Sequence, residues 1–190
     1  MTQELALIPQ YLIQRGNKTL ENILSVMCGV AGLSLLSQIA IPLTWTPVPI
    51  TGQTFGIYLV ALLWGRKRGL AVILSYLAIG AMGLPVFALG KYGLSFGPTT
   101  GYLVGMVLAT CWIGMLSDLG WTKTYLRTYL AAASGSVIIF ACGNIVLSFF
   151  IPLKALFTAG VLPFLPGDLI KTSLASYIAY KSQKSLTAKK

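Results

Sequence analysis

A carboxylate and an amine lie in a stretch of the sequence that is otherwise apolar. Asp168 and Lys171 follow Pro166 and Gly167 at the start of the last hydrophobic segment. The Pro-Gly pair predicts a turn that begins a helix, and the spacing puts both charged side chains on one helix face. An ionisable group inside a membrane segment costs roughly 2.5 kcal/mol or more, so it usually faces the protein interior and has a function. The pair is therefore a candidate binding site, and the alternative is a plain ion pair that holds the helix.

The composition indicates an integral membrane protein. Of 190 residues, 56% are hydrophobic and 9% are charged, and the mean hydropathy is +0.79. A soluble domain carries about 25% charged residues. The apolar runs are long and continuous, which is typical of membrane helices rather than of membrane strands. Histidine is absent, and the three cysteines lie in apolar runs without metal-ligand spacing, so no metal site is expected.

The apolar runs predict an all-α protein with six transmembrane helices in one membrane domain over residues 1–190. The spans are expected at about 21–41, 54–65, 69–81, 99–118, 125–150 and 164–181. Residues 1–20 are mildly amphipathic and are expected to lie on the inner membrane surface. They do not read as a cleavable signal peptide, because Glu4 precedes a mixed polar stretch.

The distribution of charge predicts the orientation. A net charge of +10 would suggest a nucleic-acid partner in a soluble protein, but here the basic residues flank the apolar runs. Most of them fall on one side of the predicted bilayer: Arg15, Lys18, Arg66, Lys67, Arg68, Lys123, Arg127, Lys181, Lys184, Lys189 and Lys190. The positive-inside rule then places both termini in the cytoplasm. We expect a multi-pass protein of the cell membrane with no nucleic-acid partner.

Two loops on the opposite, outer side are unusual. The first, residues 42–54, has three prolines within eight residues and so cannot be ordinary helix, yet it is mostly apolar. The second, residues 82–98, is rich in glycine and proline and also contains aromatic residues, which predicts a packed loop. Non-helical backbone at membrane depth is tolerated where protein covers it or where it lines a cavity. Both loops are therefore expected to be ordered and to cap a ligand pocket.

The residues at this outer end suggest a small ligand, neutral or anionic, with hydrogen-bond donors and acceptors. Lys171 or Lys91 is expected to bind a carboxylate. The other candidates are polar residues for amide-like groups and aromatic residues for stacking, namely Asp168, Thr51, Gln53 and Asn144, then Phe87, Tyr92 and Tyr102. Phosphate-binding glycine loops and a nucleophile with a base are absent, so neither an enzyme nor a self-sufficient ATP-driven pump is expected.

A row of small residues recurs at three- and four-residue spacing on the first span: Ser25, Cys28, Gly29 and Gly32. Small residues at this spacing let a second helix approach closely. The row predicts either packing inside the bundle or a docking face for another protein, and the pattern alone does not separate the two.

Four motifs follow one another along the chain. They are Pro47-Val48-Pro49-Ile50-Thr51-Gly52-Gln53-Thr54 after Ile41-Pro42, then Gly83-Leu84-Pro85-Val86-Phe87-Ala88, then Gly97-Pro98-Thr99-Thr100-Gly101-Tyr102, then Pro166-Gly167-Asp168-x-x-Lys171. In this order they resemble the BioY family, the biotin-specific substrate-binding subunits of energy-coupling-factor (ECF) transporters. The resemblance extends from about residue 20 to residue 181.

The resemblance implies a six-helix membrane subunit that captures biotin from outside and needs no cofactor. It also implies that Asp168 and Lys171 contact the ligand, and that the small residues of the first helix dock on a transmembrane coupling protein bound to two ATPase subunits. The alternatives are a subunit for a different vitamin, such as thiamine or riboflavin, and a structural membrane protein. A homo-oligomer is also compatible with the sequence.

Overall fold

The computed structural model describes residues 18–187, and the predicted amphipathic segment therefore lies almost wholly outside the described residues. The helices are α1 (Lys18–Gln38), α2 (Gln53–Ala81), α3 (Thr100–Asp118), α4 (Tyr125–Leu147), α5 (Leu156–Gly160) and α6 (Leu165–Thr187). Short 3-10 turns occur at Ala88–Gly90, Trp121–Lys123 and Leu153–Ala155. Strands β1 (Ala40–Ile41) and β2 (Ile50–Thr51) form an antiparallel ribbon within the proline-rich loop.

The long helix α2 is a hairpin rather than a straight rod. Gly65 interrupts it with φ 70° and ψ −174°, a conformation that glycine adopts without a Cβ clash. The chain then folds back, as the position of Gln53 shows. Its side-chain amide nitrogen lies 2.7 Å from the hydroxyl of Tyr76. In a straight helix these residues would be about 34 Å apart along the axis. The two halves, residues 53–64 and 66–81, occupy the region where the sequence predicts two short spans.

Three helices are long and apolar enough to cross a bilayer by themselves within residues 18–187. They are α1 (over Thr19–Gln38), α3 and α4. The segments Leu153–Gly160 and Leu165–Ser185 reach the same criterion together, as one broken span bent by 44°. Each half of α2 is shorter, and the basic triplet at 66–68 lies beside the turn between them. A half of 12 or 16 residues is about 18 or 24 Å long, short of a 30 Å hydrocarbon core.

Glycines allow the helices to pack at close range. The helix α3 packs mainly against α2 and α4, while α6 packs against α2 and α4. A Cβ on Gly105 would lie 2.8 Å from the Cα of Ile139, and one on Gly114 would lie 2.7 Å from the Cα of Arg66. Large apolar side chains project from the outer helix faces, for example Leu35 and Val137 at 73% and 67% exposure. Such a surface suits lipid better than water.

Candidate functional site: a cavity between the two loops

A cavity of about 690 Å³ lies where the two loops meet α3, α4 and α6. The proline-rich loop and the start of α2 contribute one wall, and residues 91–100 contribute another. Most of the predicted binding residues line it: Thr51, Gln53, Phe87, Lys91, Tyr92, Tyr102, Asp168 and Lys171. The structure thus brings together residues that are more than 100 positions apart in the sequence.

Asp168 is the buried acceptor of this cavity. It lies in the first turn of α6, where the helix dipole favours a negative charge, and it is only 8% exposed. Its Oδ1 accepts a hydrogen bond from the Tyr58 hydroxyl at 2.7 Å, and its Oδ2 accepts one from the Ser136 hydroxyl. Three helices, α2, α4 and α6, therefore meet at this one carboxylate.

Lys171, one helical turn later, holds the proline-rich loop. Its Nζ donates to the backbone oxygen of Thr51 at 2.7 Å and to Oγ1 of Thr54 at 3.3 Å. Asp168 and Lys171 thus have separate hydrogen-bond partners. Their contacts are therefore more than the plain ion pair that the sequence offered as the alternative. The arrangement gives the cavity an acceptor at Asp168 and fixes the loop above it.

An aromatic and hydrogen-bonded chain links the second loop to the α2 hairpin. The Gln53 amide donates to the Tyr76 hydroxyl, which in turn donates to the backbone oxygen of Val86 at 3.1 Å. The ring of Phe87 packs edge-on against Tyr76, with centroids 5.3 Å apart. Gly80 makes room for this ring, since a Cβ there would lie 2.2 Å from it. Phe87 and Gln53 are thereby positioned together at the cavity wall.

The end of α1 also fastens the second loop, which the sequence does not predict. The Gln38 amide donates to the backbone oxygens of Val86 and Phe87, both at 3.2 Å, and its Oε1 accepts from the backbone N–H of Gly90 at 3.2 Å. Ser37 donates to the oxygen of Val86. The only sequence signal for these contacts is a pair of polar residues at the end of an apolar helix.

Two predicted residues differ in their position relative to the cavity. Tyr102 lines it, and its hydroxyl donates to the backbone oxygen of Gly160 at 2.9 Å. The structure does not bring Asn144 to the cavity. The Asn144 amide nitrogen donates to the backbone oxygen of Phe140 one turn earlier in α4, at 2.8 Å.

The cations near the cavity have different surroundings. Lys91 lines it and is exposed, and its ammonium has no hydrogen-bond or ion-pair partner among the residues that the structure describes. Lys154, in the 3-10 turn before α5, does not line it. Lys91 thus brings an exposed ammonium to the cavity.

The small-residue row of α1 divides between two faces. Ser25 and Gly29 are buried, and a Cβ on Gly29 would lie 2.6 Å from a methyl group of Val72. Cys28 is exposed, and a Cβ on Gly32 would meet no atom within 4 Å. Ser25 and Gly29 therefore pack inside the bundle, whereas Cys28 and Gly32 are available for contact with lipid or with a partner protein.

No group of three or more histidine, cysteine or carboxylate side chains that could hold a metal ion occurs within residues 18–187. The fold and the cavity together define an α-helical membrane protein with an internal cavity at one end of the bundle. The BioY family model matches residues 10–188, and the chain belongs to this family.

Relatives in bacteria and archaea agree with this assignment. The biotin transporter BioY of Thermotoga maritima is 41% identical over 150 residues, covering 77% of this chain and 86% of the relative. The probable biotin transporter BioY of Pyrococcus horikoshii is 36% identical over 156 residues, covering 81% and 91%. A crystal structure of the S-component for biotin from an ECF-type ABC transporter superposes with a TM-score of 0.82 at 28% identity, covering 90% of this chain and 95% of that one.

These comparisons confirm the family resemblance and the all-α membrane fold. They do not assign individual residues, so the roles of the side chains around the cavity, the direction of the chain across the bilayer and the docking face stay predictions.

Proposed function

We propose that this chain is the substrate-binding subunit of an ECF-type transporter and that it binds biotin in the cavity between the two loops. The relatives named as biotin transporters and the matching S-component structure support this ligand. The observation that carries the proposal is the buried Asp168 carboxylate, which faces a cavity of about 690 Å³. Pockets for small ligands typically measure about 300–1,000 Å³.

The functional groups of biotin suit the side chains that line the cavity. The ureido ring offers two N–H donors and a carbonyl, and the carboxylate oxygens of Asp168 are acceptors for the donors. Aromatic walls, including Phe87 and Tyr102, suit the apolar ring system and chain. The carboxylate of the ligand then meets Lys91, whose ammonium has no partner among the described residues, whereas Lys171 donates to Thr51 and Thr54.

The proposed orientation puts the cavity on the outside of the cell membrane. The cavity contains Lys91 and Lys171, whereas the basic triplet at 66–68, together with Lys123 and Arg127, lies at the ends of helices away from the loops. By the positive-inside rule, those ends face the cytoplasm. Biotin then enters from outside, and the two loops close over it.

Binding and release are separate steps in this proposal, and no covalent chemistry takes place. A nanomolar complex is stabilised by roughly 12 kcal/mol, so unaided release would be slow. We propose that a transmembrane coupling protein with two ATPase subunits supplies the energy for release. The chain acts as a transport subunit rather than as an enzyme.

Competition binding on the purified protein tests the ligand. Radiolabelled biotin is expected to bind saturably at one site per chain, to be displaced by unlabelled biotin, and to resist displacement by thiamine or riboflavin. Displacement by either vitamin would support the alternative of a subunit for a different substrate. Absence of saturable binding would favour a structural membrane protein.

A further inference from the structure

Two hydroxyl groups that do not line the cavity hold its central carboxylate. Tyr58 is fully buried in the first half of the α2 hairpin, and Ser136 is 5% exposed in α4. Tyr58 donates to one oxygen of Asp168 at 2.7 Å, and Ser136 donates to the other. Side chains from α2 and α4 therefore hold the Asp168 carboxylate, which belongs to α6.

These two hydrogen bonds determine how many acceptor positions of Asp168 remain for a ligand. An ionised carboxylate only accepts hydrogen bonds and has about four acceptor positions. Tyr58 and Ser136 each occupy one position, one on each oxygen, so each oxygen keeps acceptor capacity, and Asp168 lines the cavity. A carboxylate fixed in this way is prepared for N–H donors and does not have to reorient when the ligand arrives.

We propose that Tyr58 and Ser136 are positioning residues that act through Asp168 and set the preference of the cavity for a ligand with free N–H groups. The inference rests on the proposed function, since the N–H groups are those of the ureido ring of biotin. It assigns roles to two residues that have no direct access to the ligand.

The affinity of Tyr58→Phe and Ser136→Ala for biotin tests this inference. Each change removes one hydroxyl and little volume. Hydrogen bonds to charged groups are strong enough that each variant is expected to lose about 10- to 100-fold in affinity. Ser117→Ala is the matched control, because Ser117 is likewise a buried serine that does not line the cavity. Its hydroxyl donates to the backbone oxygen of Leu62 at 2.7 Å instead of to Asp168. It is expected to keep wild-type affinity.

A double-mutant cycle separates positioning from mere stability. If Tyr58 acts through Asp168, Tyr58→Phe changes affinity by less than about two-fold in an Asp168→Asn background. A structural role would give the same loss in both backgrounds. A second readout is biotin methylated at the ureido nitrogens: the wild type is expected to discriminate against it strongly, and Tyr58→Phe and Ser136→Ala less so.

The outcomes distinguish the inference from the function on which it rests. Equal losses in both backgrounds, or unchanged affinity in both single variants, overturn the positioning role while biotin binding by the wild type stands. A wild-type protein that binds no biotin overturns the proposed function and this inference together.

Discussion

Among single residues, Asp168 matters most for the proposed binding of biotin, because its carboxylate is the buried acceptor of the cavity. Replacing it with asparagine keeps the shape, and the new amide still offers one acceptor and two donors to the hydroxyls of Tyr58 and Ser136. The charge is lost, and with it the strongest acceptor for the ligand. We predict that Asp168→Asn lowers the affinity for biotin by about 100-fold or more while the protein stays folded.

Equilibrium binding in detergent, beside a thermal unfolding curve, measures this effect. Asp118→Asn is the matched control, because Asp118 accepts from the backbone N–H of Arg66 at the far end of the bundle. Wild-type affinity in Asp168→Asn would show that the carboxylate does not contact the ligand.

The two lysines of the cavity are expected to respond differently to a neutral ligand. Biotin amide lacks the negative charge of biotin, so a lysine that pairs with the carboxylate discriminates between them. We predict that Lys91→Met weakens biotin binding several-fold and leaves biotin amide binding nearly unchanged. The exposed position of Lys91 keeps the effect modest. Lys154→Met serves as the control, because Lys154 does not line the cavity.

Lys171→Met is expected to weaken both ligands by a similar factor, since it frees the loop at Thr51 and Thr54 instead of removing a ligand contact. Preferential loss of biotin over biotin amide in Lys171→Met, without such a loss in Lys91→Met, would exchange the roles of the two lysines.

The residue types of the site could be predicted from the sequence, but their partners could not. A carboxylate in an apolar run attracts notice because its burial is costly, and the structure places Asp168 at the cavity. Tyr58 and Ser136 give no such signal, because tyrosine and serine are ordinary in membrane helices. Asn144 shows the converse: a polar residue in a span need not face the cavity when it can bond to the backbone of its own helix.

At the scale of the elements, the packed second loop is the feature that shapes the cavity. Phe87 sits over Gly80, where even a methyl group would overlap the ring at 2.2 Å. We predict that Gly80→Ala displaces Phe87, lowers the free energy of unfolding by about 1–3 kcal/mol and weakens biotin binding. The unfolding midpoint in detergent and the affinity report the two effects.

Gly32→Ala is the stability control, since the added Cβ meets no atom within 4 Å and alanine favours a helix. An unchanged midpoint in Gly80→Ala would mean that Phe87 is not anchored as the structure shows it.

The α2 hairpin and the β1–β2 ribbon are the elements whose tertiary geometry could not be predicted from the sequence. Proline and glycine predict that residues 42–54 and 82–98 leave the helical conformation, because these residues remove a backbone donor or permit unusual dihedral angles. The pairing of Ala40 with Thr51 depends on contacts across the whole loop, which no local pattern encodes. The reversal at Gly65 is similar: the basic triplet suggests a turn, but the close return of the chain depends on tertiary packing.

At the scale of the whole molecule, the free half of the α1 row is a proposed contact with a coupling protein. Cys28 is exposed and Gly32 has open space beside it, whereas Gly29 packs on Val72. We predict that Cys28→Trp and Gly32→Leu reduce co-purification with the coupling protein and biotin uptake by cells, without changing the affinity of the purified subunit for biotin. Small residues matter at such contacts because they allow close helix approach.

A tryptophan at Leu130, a half-exposed position on α4, is the control for added bulk on the membrane face. Gly29→Leu is expected to destabilise the subunit itself. Normal uptake in both Cys28→Trp and Gly32→Leu would remove this face from the proposed interface.

The most direct test of the account is an experimental structure of the purified protein with biotin. We predict ligand density in the cavity between the two loops, with ureido N–H groups within hydrogen-bond distance of Asp168 and the carboxylate beside Lys91. Density for biotin elsewhere, or an occupied cavity in which Asp168 makes no contact with the ligand, would contradict the account.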